Sequence, residues 1–220
     1  MTAPAFPGLS YARDVAALAR KDLLLELRSR DTLPAMLLFV VSTLVIFHFA
    51  LPAGSSDVAA AGLLWVALVF TALLGLTRAF VAEREQRLLD GLVLAPCDRS
   101  AIWLAKALSI VAFLLLAEAV ALPAFALFFD PVTAPMVAGI ILADLGIAAV
   151  GTLLAAMAVA SRARELLLPL LFLPLAIPII VGGVGASVAD DPGRYLGFLG
   201  LYDAVFAILS WATFEYVVTE

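Results

Sequence analysis

The chain has 220 residues, of which 65% are hydrophobic and only 14% are charged, and its mean hydropathy is +1.12. Soluble domains are nearer half apolar and a quarter charged, so this composition excludes an ordinary soluble protein. The net charge of −5 carries little weight because the charges are split by location, no nucleic-acid partner is expected, and the single cysteine, Cys97, excludes an internal disulfide. The single histidine, His48, argues against a metal or haem site built from histidines of this chain alone.

Residues 1–32 are predicted to form an amphipathic helix ahead of the membrane domain. Tyr11, Val15, Leu18 and Leu25 share one helical face. The opposite face collects basic residues: Arg13, Arg20, Lys21 and Arg28. We expect this helix to lie on the cytoplasmic leaflet, with its arginines toward anionic lipid headgroups. The alternative is a solvated helix that leads into the first span. No cleavable signal peptide is expected, because the first apolar run is long enough for a permanent span.

Residues 33–220 are predicted to form a domain of six transmembrane helices. A bilayer core requires about 20 apolar residues in a helix, and six segments meet this length. They are Leu33–Leu51, Val58–Val81, Ala107–Phe129, Val132–Ala160, Leu166–Val188 and Tyr195–Val218. No strand alternation appears between them, and a helix satisfies its backbone hydrogen bonds within the segment, as hydrocarbon requires. The expected fold class is therefore an all-α polytopic membrane protein.

The basic residues predict the orientation of the six spans. Of the 13 lysines and arginines, 12 precede the first span or lie at the connections after the second and fourth spans. The exception is Arg194, which is accompanied on its side by several aspartates. The positive-inside rule assigns the basic side to the cytoplasm. We therefore expect a multi-pass protein of the plasma or inner membrane, with both termini cytoplasmic.

The longest predicted cytoplasmic connection joins the second and third spans. Glu83 and Arg87 are an i,i+4 pair, so the second span is expected to continue as a helix beyond the membrane. A short leucine-rich piece follows and ends at Pro96, after which Asp98 or Ser100 can cap the next helix. We expect an apolar knob that fits a groove on a cytoplasmic partner. The alternative is a solvated loop whose leucines dip into the membrane interface.

This connection resembles the coupling segment of ABC-2-type exporter permeases. The likeness consists of Glu-Arg-Glu at 83–85, Leu-Leu-Asp-Gly-Leu at 88–92, a proline, and a capped helix that reaches Lys106. The chain is more similar still to the family of cytochrome c maturation protein B, the haem exporter B permeases. That similarity adds Gly-Leu-Leu-Trp-Val-Ala at 62–67 and the proline-rich fifth span, and it covers nearly the whole chain.

The resemblance implies the permease subunit of an ABC-type haem exporter complex in cytochrome c maturation. Such a subunit would couple a separate ATPase to haem delivery or to release of a haem–chaperone complex. The implied partners are a cassette ATPase, a haem-handling membrane protein, a haem chaperone, membrane lipid and a second copy of this chain. ATP would be bound by the ATPase, haem would be a transported or handled ligand, and this chain would bind no cofactor itself.

The same resemblance assigns the ATPase contact to a coupling segment at residues 82–100. The expected contact residues are Glu83, Arg84, Glu85, Arg87, Leu88, Asp90 and Pro96. A second cytoplasmic contact is expected at Arg162, Arg164 and Glu165. Cys97 and Asp98 depart from the family pattern, which often has an apolar residue and then a serine or threonine there.

The chain lacks the phosphate loop of an ATPase. It contains no G-x-x-x-x-G-K-[ST] motif, and its only lysines are Lys21 and Lys106. We therefore expect no enzyme activity from this chain, with ATP hydrolysis in a separate subunit.

Three carboxylic residues fall inside predicted spans: Glu118, Asp144 and Asp203. Each costs at least about 2.5–3.5 kcal/mol at mid-bilayer, so we expect them to face the interior of the bundle. They form either a proton or substrate path or a set of protonated carboxyls that hydrogen bond between helices.

For His48 we expect a bond to water or a carbonyl rather than to haem, and the Trp65 N–H should need a partner inside the bundle.

The fifth span contains three prolines, Pro169, Pro174 and Pro178. Each proline removes a backbone donor, so we expect a kinked or broken helix that acts as a moving gate. The alternative is a static kink filled by its neighbours.

The sixth span begins with small residues suited to close helix contact across a dimer interface, namely Gly193, Gly197 and Gly200.

Two other functions fit the same features. An ABC-2-type permease could export a different substrate, such as a drug or a glycolipid. A proton-coupled carrier could use the three intramembrane carboxyls. An embedded enzyme is the least favoured, because no nucleophile–base pair is evident.

Overall fold

The computed structural model describes residues 7–29, 32–52, 56–78, 98–160 and 164–219. Within these ranges the secondary structure is α-helical and contains no strand, as predicted. The helices are α1 (Pro7–Ser29), α2 (Thr32–Ala50), α3 (Asp57–Arg78), α4 (Arg99–Phe128), α5 (Ala134–Ala160), α6 (Arg164–Val188) and α7 (Pro192–Thr219). Helices α2 to α7 are each long and apolar enough to cross a membrane, which confirms the six predicted spans.

Helix α4 begins earlier than the apolar pattern predicted, at Arg99 rather than Ala107. The reason is local, because Asp98 is the N-cap and its side chain accepts a hydrogen bond from the Ser100 N–H at 2.9 Å. This bond satisfies one of the free amide groups in the first helical turn. Asp98 or Ser100 was predicted to cap this helix, and the structure shows that the cap is Asp98.

Helix α5 lies at the centre of the bundle. It packs against α3, α4, α6 and α7, with the most extensive contact against α7. Helices α3 and α5 are the most buried of the six spans, and α2 and α7 are the most peripheral. Helix α5 is apolar on all sides apart from Asp144 and Thr152, as a helix surrounded by other helices should be.

Two glycines allow large side chains to approach a neighbouring backbone. The indole of Trp65 lies against Gly183 of α6, where any Cβ atom would overlap the ring. On α5, a Cβ atom at Gly146 would lie 2.5 Å from Oδ1 of Asp203. Close approach of helices at small residues is usual in membrane bundles, where tight van der Waals packing drives association.

The three prolines of α6 lie within one helix, Arg164–Val188, so they do not divide it. Of the two predicted alternatives, a kinked or a broken helix, the structure excludes the break, and the kink stays a prediction. Pro174 has no N–H, and its own carbonyl loses its helical donor at Pro178. Next to it, the carbonyl of Leu175 accepts a hydrogen bond from the hydroxyl of Tyr202 at 2.8 Å. A side chain of α7 thus supports the proline-rich part of α6.

The bundle has two chemically different ends. We call the end that contains Thr32, Arg99 and Arg164 the basic end, and the end that contains Asp57 and Asp130 the acidic end. By the positive-inside rule, the basic end is the one predicted to face the cytoplasm.

Candidate functional site

Most of the predicted ATPase contact lies outside the described residues. These positions are Glu83, Arg84, Glu85, Arg87, Leu88, Asp90, Pro96 and Arg162. The backbone of Arg164 and Glu165 begins α6, and their side chains are likewise outside the description. What the structure describes is the far end of the coupling segment, where it enters α4.

The entry to α4 is held by a small polar network. The Ser100 hydroxyl donates to Oδ1 of Asp98 at 2.8 Å, in addition to the N–H bond that caps the helix. These two hydrogen bonds lower the pKa of Asp98, because they favour the charged carboxylate. The Ser100 hydroxyl is also hydrogen bonded to the Tyr11 hydroxyl at 3.2 Å. Helix α1 therefore contacts the residue that ends the coupling segment.

The apolar stripe of α1 packs against α4. Val15 is buried against Ala101 and Ala105, with Tyr11 and Leu18 alongside. The periodicity of α1 correctly predicted an apolar face, but it could not show that another helix of the same chain covers that face.

A different surface of α1 stays exposed, and it includes Arg13, Arg20 and Leu24. Contact between this surface and lipid headgroups stays a prediction.

Asp22, which interrupts the apolar stripe of α1, forms a buried ion pair with α4. Its Oδ2 lies 3.1 Å from Nζ of Lys106, and its Oδ1 lies 3.0 Å from Nζ of Lys21. Lys106 is only 5% exposed, so its charge is removed from water and requires a nearby anion. This pairing of Asp22 with Lys106 is not predictable from the sequence, because the two residues are far apart in the chain.

A second network joins three spans near the basic end. The Trp103 indole N–H donates to Oγ of Ser210 at 2.9 Å, and the Ser210 hydroxyl donates to the carbonyl of Ala149 at 2.7 Å. One hydroxyl of α7 thereby connects α4 to α5. Ser210 was not predicted as a functional residue, because it belongs to no sequence motif.

The structure brings two of the three intramembrane carboxyls together. Glu118 of α4 and Asp144 of α5 lie close enough to interact and are 6% and 2% exposed. Asp203 lies elsewhere, against Gly146, and neither of its carboxyl oxygens has a hydrogen-bond partner. Among the described residues, no group of three or more histidines, cysteines or acids could hold a metal ion.

At the acidic end, His48 is bonded as predicted. Its Nδ1 lies 2.8 Å from the carbonyl oxygen of Phe128, which accepts the hydrogen bond. The ring also contacts the aromatic rings of Phe49, Phe128 and Phe129. The bond joins the ends of α2 and α4.

Trp65 also finds the predicted partner for its N–H. The indole donates to Oγ of Ser187 at 3.0 Å, and the Ser187 hydroxyl donates to the carbonyl of Gly183 at 2.8 Å. A buried tryptophan with a satisfied N–H packs without leaving an unpaired donor. This contact fixes α3 against the end of α6.

A cavity of about 460 Å³ opens beside this contact at the acidic end. Its lining combines the carboxylates of Asp57 and Asp130, hydroxyls such as Ser187, and the apolar side chains of Phe125 and Met136. Its volume falls within the range of small-molecule sites, about 300–1,000 Å³. The charge pattern predicts both aspartates in outer connections, but it does not predict that four helix ends converge around them.

Comparisons with known proteins give a consistent result. The family model described as "CcmB protein" matches residues 13–215. Heme exporter protein B of Paracoccus denitrificans is 33% identical over 192 residues, which are 83% of this chain and 88% of the relative. The proteins of the same name from Bradyrhizobium diazoefficiens and Rhodobacter capsulatus are 31% and 30% identical, over 80% and 76% of this chain and 81% and 79% of those relatives.

Proposed function

Because this chain belongs to the CcmB protein family, we propose that it is the membrane subunit of a haem exporter that acts in cytochrome c maturation. The observation that carries the proposal is the family match over residues 13–215, together with three relatives that are each named Heme exporter protein B. The match includes the amphipathic helix and the six spans, so it covers the architecture and not one motif.

The exporter's motor is proposed to be a separate cassette ATPase, since this chain has no phosphate loop. The proposed contact is the coupling segment at 82–100, assisted by Arg162, Arg164 and Glu165. Its support in the described part of the chain is the joint between α1 and α4. The end of the coupling segment is connected to both helices by the hydrogen bonds of Ser100 with Asp98 and Tyr11. A displacement of the segment by the ATPase would therefore move α1 and α4 together.

The remaining parts of the proposal follow from the orientation. The basic end and both termini lie on the cytoplasmic side of the inner membrane. The acidic end lies on the outer side, where it faces a haem-handling membrane protein and a haem chaperone. Haem is the handled ligand, and the ATPase binds ATP.

Helix α6 is the proposed gate, because its carbonyl groups near Pro174 and Pro178 lack their helical donors.

The exporter is proposed to contain two copies of this chain. The first half of α7 supports this, because a Cβ atom added at Gly197 or Gly200 would meet no atom within 4 Å. This small-residue face is therefore unfilled within one protomer and suits close contact with a second helix.

Affinity purification in mild detergent tests the proposal. The tagged wild-type chain should recover a cassette ATPase, identified by mass spectrometry. The double variant Glu83→Lys, Asp90→Lys should lose it, because charge reversal opposes the proposed contact. The control is Asp130→Lys, a reversal at the opposite end of the bundle, which should retain the ATPase. Recovery of no ATPase with the wild-type chain would overturn the proposed exporter.

A further inference from the structure

We propose that His48 is an axial ligand for haem at the acidic end of the bundle, beside an apolar surface of phenylalanine rings. The inference rests on the proposed function, which supplies haem as the handled ligand, and it names the residue of this chain that holds it. Its basis is the hydrogen bond of the imidazole to a backbone carbonyl and the aromatic rings in contact with it.

The hydrogen bond determines which nitrogen of His48 can bind iron. A carbonyl oxygen only accepts hydrogen bonds, so Nδ1, which lies 2.8 Å from the oxygen of Phe128, carries a proton. In the neutral ring the lone pair then belongs to Nε2, the nitrogen farther from the backbone. Metal-bound histidines almost always donate their other ring N–H to a carbonyl, a carboxylate or water, which orients the ring and raises its basicity as a ligand.

The end of α4 provides the carbonyl that orients the ring. Phe128 is the last residue of α4, and the carbonyl groups in the last turn of a helix have no helical donor. The imidazole of α2 supplies that donor, so the ring is held between two helix ends. From the sequence, a carbonyl bond was expected for His48 in place of haem. The two uses require different nitrogens, so the observed bond is compatible with haem ligation.

Three phenylalanine rings contact the imidazole. The ring centroids of Phe49, Phe128 and Phe129 lie 5.3, 5.3 and 5.7 Å from that of His48. His48 is exposed and Phe49 is 82% exposed, so a ligand can reach this surface without any rearrangement of the bundle. A porphyrin is flat and largely apolar, and aromatic side chains give such a ligand a large contact area. The residues therefore fit one axial ligand beside an apolar surface.

The charges at this end favour one orientation of the porphyrin. Haem carries its two carboxylates on one edge, and the carboxylates of Asp57 and Asp130 lie at the same end of the bundle. Repulsion between like charges makes the apolar edge of haem the one that suits contact with the chain. One histidine supplies one axial ligand, so the second axial position stays open to a ligand from a partner. This arrangement suits a haem that is handed on.

Titration of the purified chain with ferric haem in detergent tests the ligand, with an affinity tag that contains no histidine. The wild type should give the Soret band of histidine-ligated haem, distinct from that of haem in empty micelles. The matched variant is His48→Asn, because its amide can still donate to the Phe128 carbonyl but offers iron no imidazole. It should lose this band and bind haem about 10–100-fold more weakly. The control Phe198→Ala removes an exposed ring outside these contacts and should keep the band.

A second measurement uses the wild-type protein and does not depend on the folding of a variant. Diethylpyrocarbonate modifies accessible histidines, and His48 is the single histidine of the chain. Modification of the haem-free chain should abolish the band, and haem bound beforehand should protect His48 from modification, as measured by mass spectrometry.

Three results would overturn the ligand assignment. They are a wild-type spectrum equal to that of haem in empty micelles, an unchanged band in His48→Asn, and full modification of His48 with haem bound. None of them contradicts haem export by the complex, which is tested separately by the c-type cytochromes of cells that lack this chain. Loss of those cytochromes together with a negative titration would retain the exporter function and reject only His48 as the ligand.

Discussion

The ammonium group of Lys106 lies 3.1 Å from the carboxylate of Asp22 and joins the N-terminal helix to the base of α4. Lys106 is nearly fully buried, whereas Lys21, the second lysine near Asp22, is one-third exposed on its side chain. The first pair is therefore the more deeply buried of the two, and its disruption should cost more.

Replacing Asp22 by alanine should destabilise the chain by about 1–3 kcal/mol, because the buried Lys106 loses the hydrogen-bonded carboxylate of Asp22. Thermal unfolding in detergent measures the effect. The matched control is Lys21→Ala, which breaks a partly exposed pair and should cost no more than about 1 kcal/mol. Equal losses in the two variants would show that the Lys106 pair is not the joint between α1 and α4.

Asp98→Ala should cost about 1 kcal/mol, because the first turn of α4 loses its cap. Asp98→Asn should keep most of the cap. Because hydrogen bonds from Ser100 lower the pKa of Asp98 in the folded state, the stabilisation from its charge is complete above the ordinary aspartate pKa. It is lost as the pH falls through the lowered value. Melting curves of the wild type and Asp98→Asn at acidic pH should converge, and parallel curves would contradict this assignment.

Gly183→Ala should destabilise the bundle by about 1–3 kcal/mol, because the new methyl group overlaps the Trp65 ring in a packed core. The control is Gly197→Ala, where nothing lies within 4 Å, and the purified monomer should be unaffected or slightly more stable. Melting temperatures of the two variants provide the comparison. A stable Gly183→Ala variant would mean that Trp65 does not pack against this backbone.

Ser210→Ala should cost about 1–3 kcal/mol, since the Trp103 N–H loses its acceptor inside the bundle. Thr213 offers a control on the same helix, because its hydroxyl is exposed and bonds only within α7. Thr213→Ala should therefore change the unfolding temperature little. If the two variants unfold alike, the Trp103–Ser210 bond does not join the spans.

Features that depend on nearby residues were predictable from the sequence. The six spans follow from the length of the apolar runs, and the Asp98 cap follows from the residues beside it. The bond between His48 and a carbonyl, and a partner for the Trp65 N–H, follow from the cost of leaving polar groups unpaired.

Features that depend on which helices become neighbours were not predictable. Periodicity shows that α1 has an apolar face, but it does not show that α4 covers that face. The pairing of Glu118 with Asp144, and not with Asp203, depends on the rotation of α4 and α5 against each other. The cavity at the acidic end similarly requires four helix ends to meet.

The central claim is that this chain serves haem export for cytochrome c maturation, and the most direct measurement is the haem covalently attached to c-type cytochromes in cells that lack it. Haem-stained gels of membranes from the deletion strain should show loss of c-type cytochromes, with b-type cytochromes unchanged as the internal control. A plasmid copy of the wild-type chain should restore the c-type bands. Normal c-type cytochromes in the deletion strain would contradict the account and assign the permease to another substrate.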